Sequence, residues 1–320
     1  VELCLERQLM GFKTRTALSL IALAACVLAV GLSAASFTET QKNPQTISAA
    51  ADFLPPTVSA GTIGKSQGGL DGTIRPGGTY YVYANVSDPG NPASGTSSVK
   101  ANVSSITSGQ TAVALTTSGG PYTVDGVSYN YRSAQLTAGS IAAGAKSYKL
   151  TLADSAGNSA ESGEYSVTVA ANTAFKGSGF AAENGPGAES TPDTGDLVVF
   201  TFNKEPDPYS IVSGWNGSGT KSVTVSIANN ASNDTLSVSG ATIGTVALDG
   251  DFTAGSATFS GSTISISGST VTIVLGTASG SVKANTAKSK PVWTPSGSVF
   301  DLVGNLCSTA TVTGANKKLF

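Results

Sequence analysis

From Asp52 onward this 320-residue chain repeats its apolar side chains at every second position, not at the 3.6-residue spacing of a helix. In TYYVYANVSD (79–88), Tyr80, Val82, Ala84 and Val86 fall on one side while Tyr81, Tyr83 and Asn85 fall on the other. Such alternation belongs to a strand with one face against a core. The same pattern predicts strands over 56–63, 97–104, 112–116, 127–136, 148–154 and 164–170. Between 122–124 and 127–129 stands Asp125-Gly126, which predicts a type I′ hairpin because both central residues of that turn need positive φ.

Residues 172–195, NTAFKGSGFAAENGPGAESTPDTG, interrupt the alternation with Gly, Pro and acidic residues and predict a connection between two domains. Strands resume at 196–202, where a continuous apolar run predicts a central strand covered on both faces. A short helix follows, capped by Asp207, with Pro208 at its first position and Gly214 at its end. Further strands are expected at 223–227, 235–238, 245–248, 257–259, 263–267 and 270–276, with Gly268-Ser269 as a tight turn between the last two. The reading is all-β: two Ig-like β-sandwich domains in tandem, at 56–171 and 196–320, after an N-terminal apolar signal helix.

Asp-x-x-Gly-Asn occurs twice, as DSAGN at 154–158 and DLVGN at 301–305. Asp154 and Asp301 are placed to accept hydrogen bonds from backbone N–H groups a few residues on, Gly157 and Gly304 to take the left-handed conformation, and Asn158 and Asn305 to lead into the next strand. The motif is expected to close the last hairpin of each domain.

Composition excludes several function classes. Charged residues make up only 12%, against a usual quarter, and the formal charge is −2; without the first 35 residues, 15 basic and 18 acidic side chains leave −3. No basic field exists for nucleic acid. Histidine is absent, which removes His-based triads, the common zinc sites and a His general base. Cysteines stand at Cys4, Cys26 and Cys307, and only the last would survive processing, so no disulfide within a domain is expected and Cys307 reads as a small buried hydrophobe.

The stretch from Met10 carries Lys13 and Arg15, runs apolar from Ala17 to Leu32 and ends in small residues, which reads as an export signal over 1–35 with Val1–Leu9 lying upstream of the pattern. Cleavage after Ala35 is the reading adopted. Retention as a membrane anchor and lipidation at Cys26, in the lipobox-like Leu23-Ala24-Ala25-Cys26, stay open, and the membrane enters only through this segment. Residues 36–55 form a junction. The final ANKKLF has neither a sortase-type pentapeptide nor an apolar helix with a basic tail, so covalent wall anchoring by that route is not expected.

Two resemblances accompany these readings. Ser36-Phe37-Thr38-Glu39 after the apolar run resembles the export junction of camelysin-like Gram-positive surface and matrix proteins, with Glu in place of Asp. DLVVFTFNKEPDPYSIVSGW (196–215) with the later DLVGN resembles the bacterial Ig-like domains of S-layer and other surface proteins, with Asn203-Lys204 where Ser or Thr is usual before Glu205. The N-terminal half, through DSAGN, is similar to the broader bacterial Ig-like repeats. They imply a cell-surface or extracellular place and partners among cell-wall or matrix components; strands with little charge to protect their edges add further copies of the chain as a partner. They imply no activity.

The function expected is therefore non-catalytic: a structural, adhesive or spacer element, with an accessory module for cell-wall glycan or calcium as the alternative. Asp193, Asp196, Glu205, Asp207 and Asp301 are the calcium candidates, since hard cations take several oxygens from turns, although Asp207 as a cap and Asp301 as an Asx turn explain themselves without a metal. No other cofactor is expected. Tyr81, Tyr83, Tyr129 and Tyr131 are the candidates for an aromatic glycan face, against ordinary cross-strand pairing. Trp215 and Trp293 read as buried anchors. Glu205 and Asp207 lie too close in sequence, within one turn, to serve as the facing carboxylates of a glycosidase.

Overall fold

The computed structural model describes residues 52–320. The readings on the export signal, Met10, Ala35, Cys26 and the Ser36–Glu39 junction lie outside the described residues. The rest is almost wholly β, arranged in two sandwich-like bodies with separate apolar cores.

The first body contains β1 (Thr57–Gly64), β2 (Thr73–Ile74), β3 (Thr79–Ser87), β4 (Thr96–Asn102), β5 (Val113–Thr116), β6 (Tyr122–Val124), β7 (Val127–Tyr129), β8 (Tyr131–Ser133), β9 (Leu136–Thr137), β10 (Gly144–Asp154), β11 (Ser159–Glu161) and β12 (Tyr165–Val169). Its hydrogen-bonded path runs β1-β3-β8-β5-β4-β10-β12-β2. Strand β5 pairs with both β4 and β8 and so joins the two faces of the sandwich. The inner face is what the alternation predicts: Tyr80, Val82, Ala84 and Val86 of β3 lie against Val99 and Ala101 of β4 and Leu150 and Leu152 of β10. At the tip of the β6–β7 hairpin Asp125 has φ 46° and Gly126 φ 77°, the two positive values a type I′ turn requires.

The second body contains β13 (Phe175–Glu183), β14 (Leu197–Phe202), helix α1 (Pro208–Ile211), β15 (Lys221–Ala228), β16 (Thr235–Ser239), β17 (Gly244–Ala247), β18 (Thr253–Ser267), β19 (Thr270–Val274), β20 (Thr277–Val282), β21 (Val292–Pro295), β22 (Cys307–Ser308) and β23 (Val312–Thr313). Its path is β22-β13-β14-β19-β18-β15-β16-β17-β21-β23, with β20 on the side of β18.

Three details differ from expectation. Residues 175–183, expected within the connection, form β13 and pair along β14; its glycines and alanines hide the alternation, and Gly177 is needed because a Cβ there would come within 2.6 Å of the Trp293 ring. Strand β14 is fully covered on one face only: Val198, Phe200 and Phe202 are buried while Leu197, Val199 and Thr201 are half-exposed. The strands expected at 257–259 and 263–267 are one strand, β18, which passes through Gly261 at φ 72° beside a register shift against β15.

Trp293 is fully buried, its ring centroid 5.1 Å from both Phe200 and Phe202, and its indole N–H donates to the Ile243 carbonyl at 2.9 Å. Trp215 is buried too and donates to the Ser218 carbonyl. Truncating Trp293 removes a large apolar volume and leaves a carbonyl without its partner. Trp293→Ala should therefore lose about 3–5 kcal/mol of unfolding free energy, read by urea denaturation.

Candidate functional site

The five calcium candidates do not come together. Asp196 precedes β14 and Asp207 follows it, and a six-residue strand at about 3.3 Å per residue holds its ends about 20 Å apart. Asp196 is buried, and its two oxygens accept from the Gly185 and Asp193 backbone N–H groups at 2.7 and 2.9 Å; burial raises its pKa against those bonds. Asp193 accepts from the Ala188 N–H at 2.7 Å. Glu205 is exposed. Asp207 caps α1 through the Tyr209 N–H at 3.0 Å, and Asp301 is held in its own turn.

Among the described residues, the trio with carboxylate oxygens within 4.8 Å of one another is Asp52, Asp88 and Asp154, of which only Asp154 stands out in the sequence. Each of the six oxygens already has a protein donor. Asp52 accepts from the Leu54 N–H and from the N–H and hydroxyl of Ser94; Asp88 accepts from Gly90 and Gly95; Asp154 accepts from the backbone and side-chain amides of Asn158. The trio is thus a hydrogen-bond hub that ties the entry of the chain to the β3–β4 loop and to the DSAGN turn.

That turn and DLVGN are built alike. In each, the Asp N–H donates to the Asn carbonyl at 3.0 Å, and the Asn N–H and side-chain amide donate back to the two Asp oxygens, all at 2.8 Å. Gly157 and Gly304 sit at φ 96° and 94°. The first turn joins β10 to β11, with β12 still to follow, and the second lies inside a single Phe300–Leu306 bridge, so neither closes the last hairpin of its body as the spacing predicts.

The tyrosine face is closed. The β6–β7 hairpin folds over the outer side of β3, so Tyr83 and Tyr129 are 1% and 4% exposed, packed with Tyr122 and Val124 in a small third cluster. The Arg132 guanidinium lies over the rings of Tyr81 and Tyr122 at 4.7 and 4.2 Å. Tyr131 packs on the inner core instead. An exposed aromatic stripe is therefore not formed, because the hairpin that carries Tyr129 is itself the lid over Tyr83.

The most distinctive arrangement lies between the two bodies, where the glycine-rich loop after β1 meets the second body. The Leu70 N–H donates to the Leu302 carbonyl at 3.1 Å, and Arg75 Nε donates to the Gly304 carbonyl at 2.7 Å. The connecting segment is pinned by Asn203, donating to the Ala174 carbonyl at 3.0 Å, and by Lys204, donating to the Thr173 carbonyl at 2.9 Å. Lys65 Nζ stands 4.6 Å over the Phe300 ring and 4.0 Å from Asp207 Oδ2. Burial lowers the Lys65 pKa, against Asp207 and Asp301, and burial raises that of Asp207, against Lys65. A cleft of about 410 Å³ opens beside this pair, with Asp71, Asp125 and Tyr209 in its walls. Its carboxylates do not converge. Lys65 and Arg75 carry no signal in the sequence, since a lone cation in a Gly-rich loop reads as a solvated side chain.

No protein-family model matches the chain, and no curated protein matches its sequence.

Two outcomes follow from these contacts. The donors from Ser94 and Leu54 lower the Asp52 pKa below its ordinary 3.8. Its contribution to stability is then present above that value and lost as pH falls through the lower folded one. An acid unfolding titration followed by tryptophan fluorescence should show Asp52→Asn less stable at neutral pH, with the gap to the parent closing below about pH 4. Burial pushes the Cys307 thiol up to about 11, so it should resist aromatic disulfide reagents at neutral pH until denaturant is added.

Proposed function

We propose that the chain is a non-catalytic structural, adhesive or spacer element, exported and displayed at the cell surface or in an extracellular matrix. The joint between the bodies is the observation that carries this reading. Bonds from Leu70 and Arg75 of the first body cross it to the Leu302 and Gly304 carbonyls of the second, so the two cores are held against each other, with Asp52–Phe320 forming a single compact unit. A catalyst would instead place groups of matched pKa around an accessible reacting centre. The carboxylates of the joint are engaged in capping, turn-holding and facing a lysine.

The export half of the proposal rests on the apolar segment before Ala35 and on the resemblance of 36–39 to a surface-protein junction. Calcium or glycan as a ligand has less support, since the acidic trio is saturated with protein donors and the tyrosines are covered.

Fractionation of the native cells with N-terminal sequencing tests the proposal. The protein should be recovered outside the cytoplasmic fraction, starting at Ser36, and surface proteolysis of intact cells should release it. Recovery in the cytosol with residues 1–35 intact would overturn it.

A further inference from the structure

The tyrosine face is closed, but the cleft of about 410 Å³ at the joint is open, and both of its walls are fixed. On the first body's side the Tyr83 hydroxyl donates to the Lys65 carbonyl at 3.1 Å, and the Leu70 N–H ties the same loop to Leu302. On the other side Asp207 caps α1, and its carboxyl also accepts from the Gly69 N–H. Lys65 and Asp207 offset each other's charge at 4.0 Å. The groups left for a ligand are of mixed kind. Gln67, Asp125 and Asn216 are exposed and Tyr209 is half-exposed. Among the described residues the side chains of Gln67, Asp125 and Tyr209 make no hydrogen bond, and Asn216 uses only its carbonyl oxygen, for the Ser218 N–H at 3.0 Å. The cleft therefore offers amide donors, carbonyl and carboxylate acceptors, a hydroxyl that does both, and one aromatic ring.

That mixture selects its ligand by elimination. An anion is repelled by Asp71 and Asp125, which no cation in the cleft pairs. A metal ion or an amine needs acceptors that converge. Here Asp71 Oδ1 is taken by the Thr62 hydroxyl and the Gly72 N–H, while Asp125 stands alone at its hairpin tip. An apolar ligand would strip water from the free amides and return no bond. A sugar hydroxyl both donates and accepts, adjacent hydroxyls match the paired atoms of a carboxylate or primary amide, and the C–H face of a sugar ring covers an aromatic one. We infer that the cleft binds a neutral saccharide chain, held between the glycine-rich loop and α1 with one sugar ring against Tyr209. Its volume lies within the range of small-ligand clefts, about 300–1,000 Å³. The inference rests on the adhesive reading above and gives it a ligand class, but the two fail separately, because binding by purified protein is read without reference to where the cell holds it.

Isothermal titration of the folded protein with neutral tetrasaccharides of N-acetylglucosamine, glucose and galactose decides it, with spermidine as the cationic comparison. Saturable binding of at least one tetrasaccharide is expected. Gln67→Trp, which fills the cleft from an exposed loop position, should abolish that binding, and Tyr209→Ala should weaken it about tenfold. Neither change enters a core, and Tyr209→Ala keeps the backbone N–H that Asp207 caps, so both should leave the melting temperature in place. Absence of binding by all three tetrasaccharides in the parent protein overturns the inference. So does binding that survives Gln67→Trp, or spermidine binding more tightly than any of the saccharides.

Discussion

Within each body, one face of every long strand has to find an apolar partner, because little else could hold the sheets together. Among the described residues the lone cysteine is Cys307, and ion pairs such as Lys149–Glu161 lie on the surface, where they contribute little. The inner faces of β3, β4 and β10 in one body, and of β14, β15, β18 and β19 in the other, therefore supply the stabilisation through burial of Val, Ile, Leu and aromatic side chains. Polar groups are admitted to the interior where they are saturated. Asp234 is fully buried and accepts from Asn230, Phe252 and Thr253, which lets one carboxylate organise the loops flanking β16 and β18.

The period-two pattern makes most strands legible, since in a one-sided sheet the burial of a residue follows from its parity alone. It fails where side chains are too small to show parity, as in the Gly- and Ala-rich β13, and where a glycine bulge lets one strand pass through what reads as a turn, as at Gly261 in β18. The Asp-x-x-Gly-Asn turns are legible for the opposite reason: their bonds lie within five residues, so spacing alone specifies them. The acidic trio and the Lys65–Asp207 pair are not. Asp52, Asp88 and Asp154, or Lys65 and Asp207, are far apart in the chain and meet only through the sheet register and the docking of one body on another. Tyrosine exposure escapes the sequence for a related reason, because whether Tyr83 faces solvent depends on where a hairpin some forty residues later folds back.

The two Asp-x-x-Gly-Asn turns share an internal clasp but use it differently. In the first body the side-chain amide of Asn158 also donates to the Asp52 carbonyl, so the turn holds the chain as it enters the sandwich. In the second, the carbonyls of Leu302 and Gly304 face outward and receive Leu70 and Arg75 from the other body. Once the clasp has satisfied its own Asp and Asn, the remaining backbone acceptors of the turn are free to bind a neighbour, and a positive-φ glycine keeps them uncovered. The same turn thus anchors the entry of the chain in the first body and receives the other body in the second.

Asn203 and Lys204 extend this logic. Both fasten the end of the connector and the start of β13 to the second body, Asn203 through Ala174 and Lys176 and Lys204 through Thr173, while Lys204 also faces Asp301. Bonds at the joint oppose rotation that a flexible linker of a few residues would leave almost unrestricted. The contacts across the joint come from the loop after β1 and from Arg75 just beyond β2, and they meet the β14–α1 turn and the DLVGN turn. The orientation of the two bodies is therefore fixed at several points that are far apart in the chain.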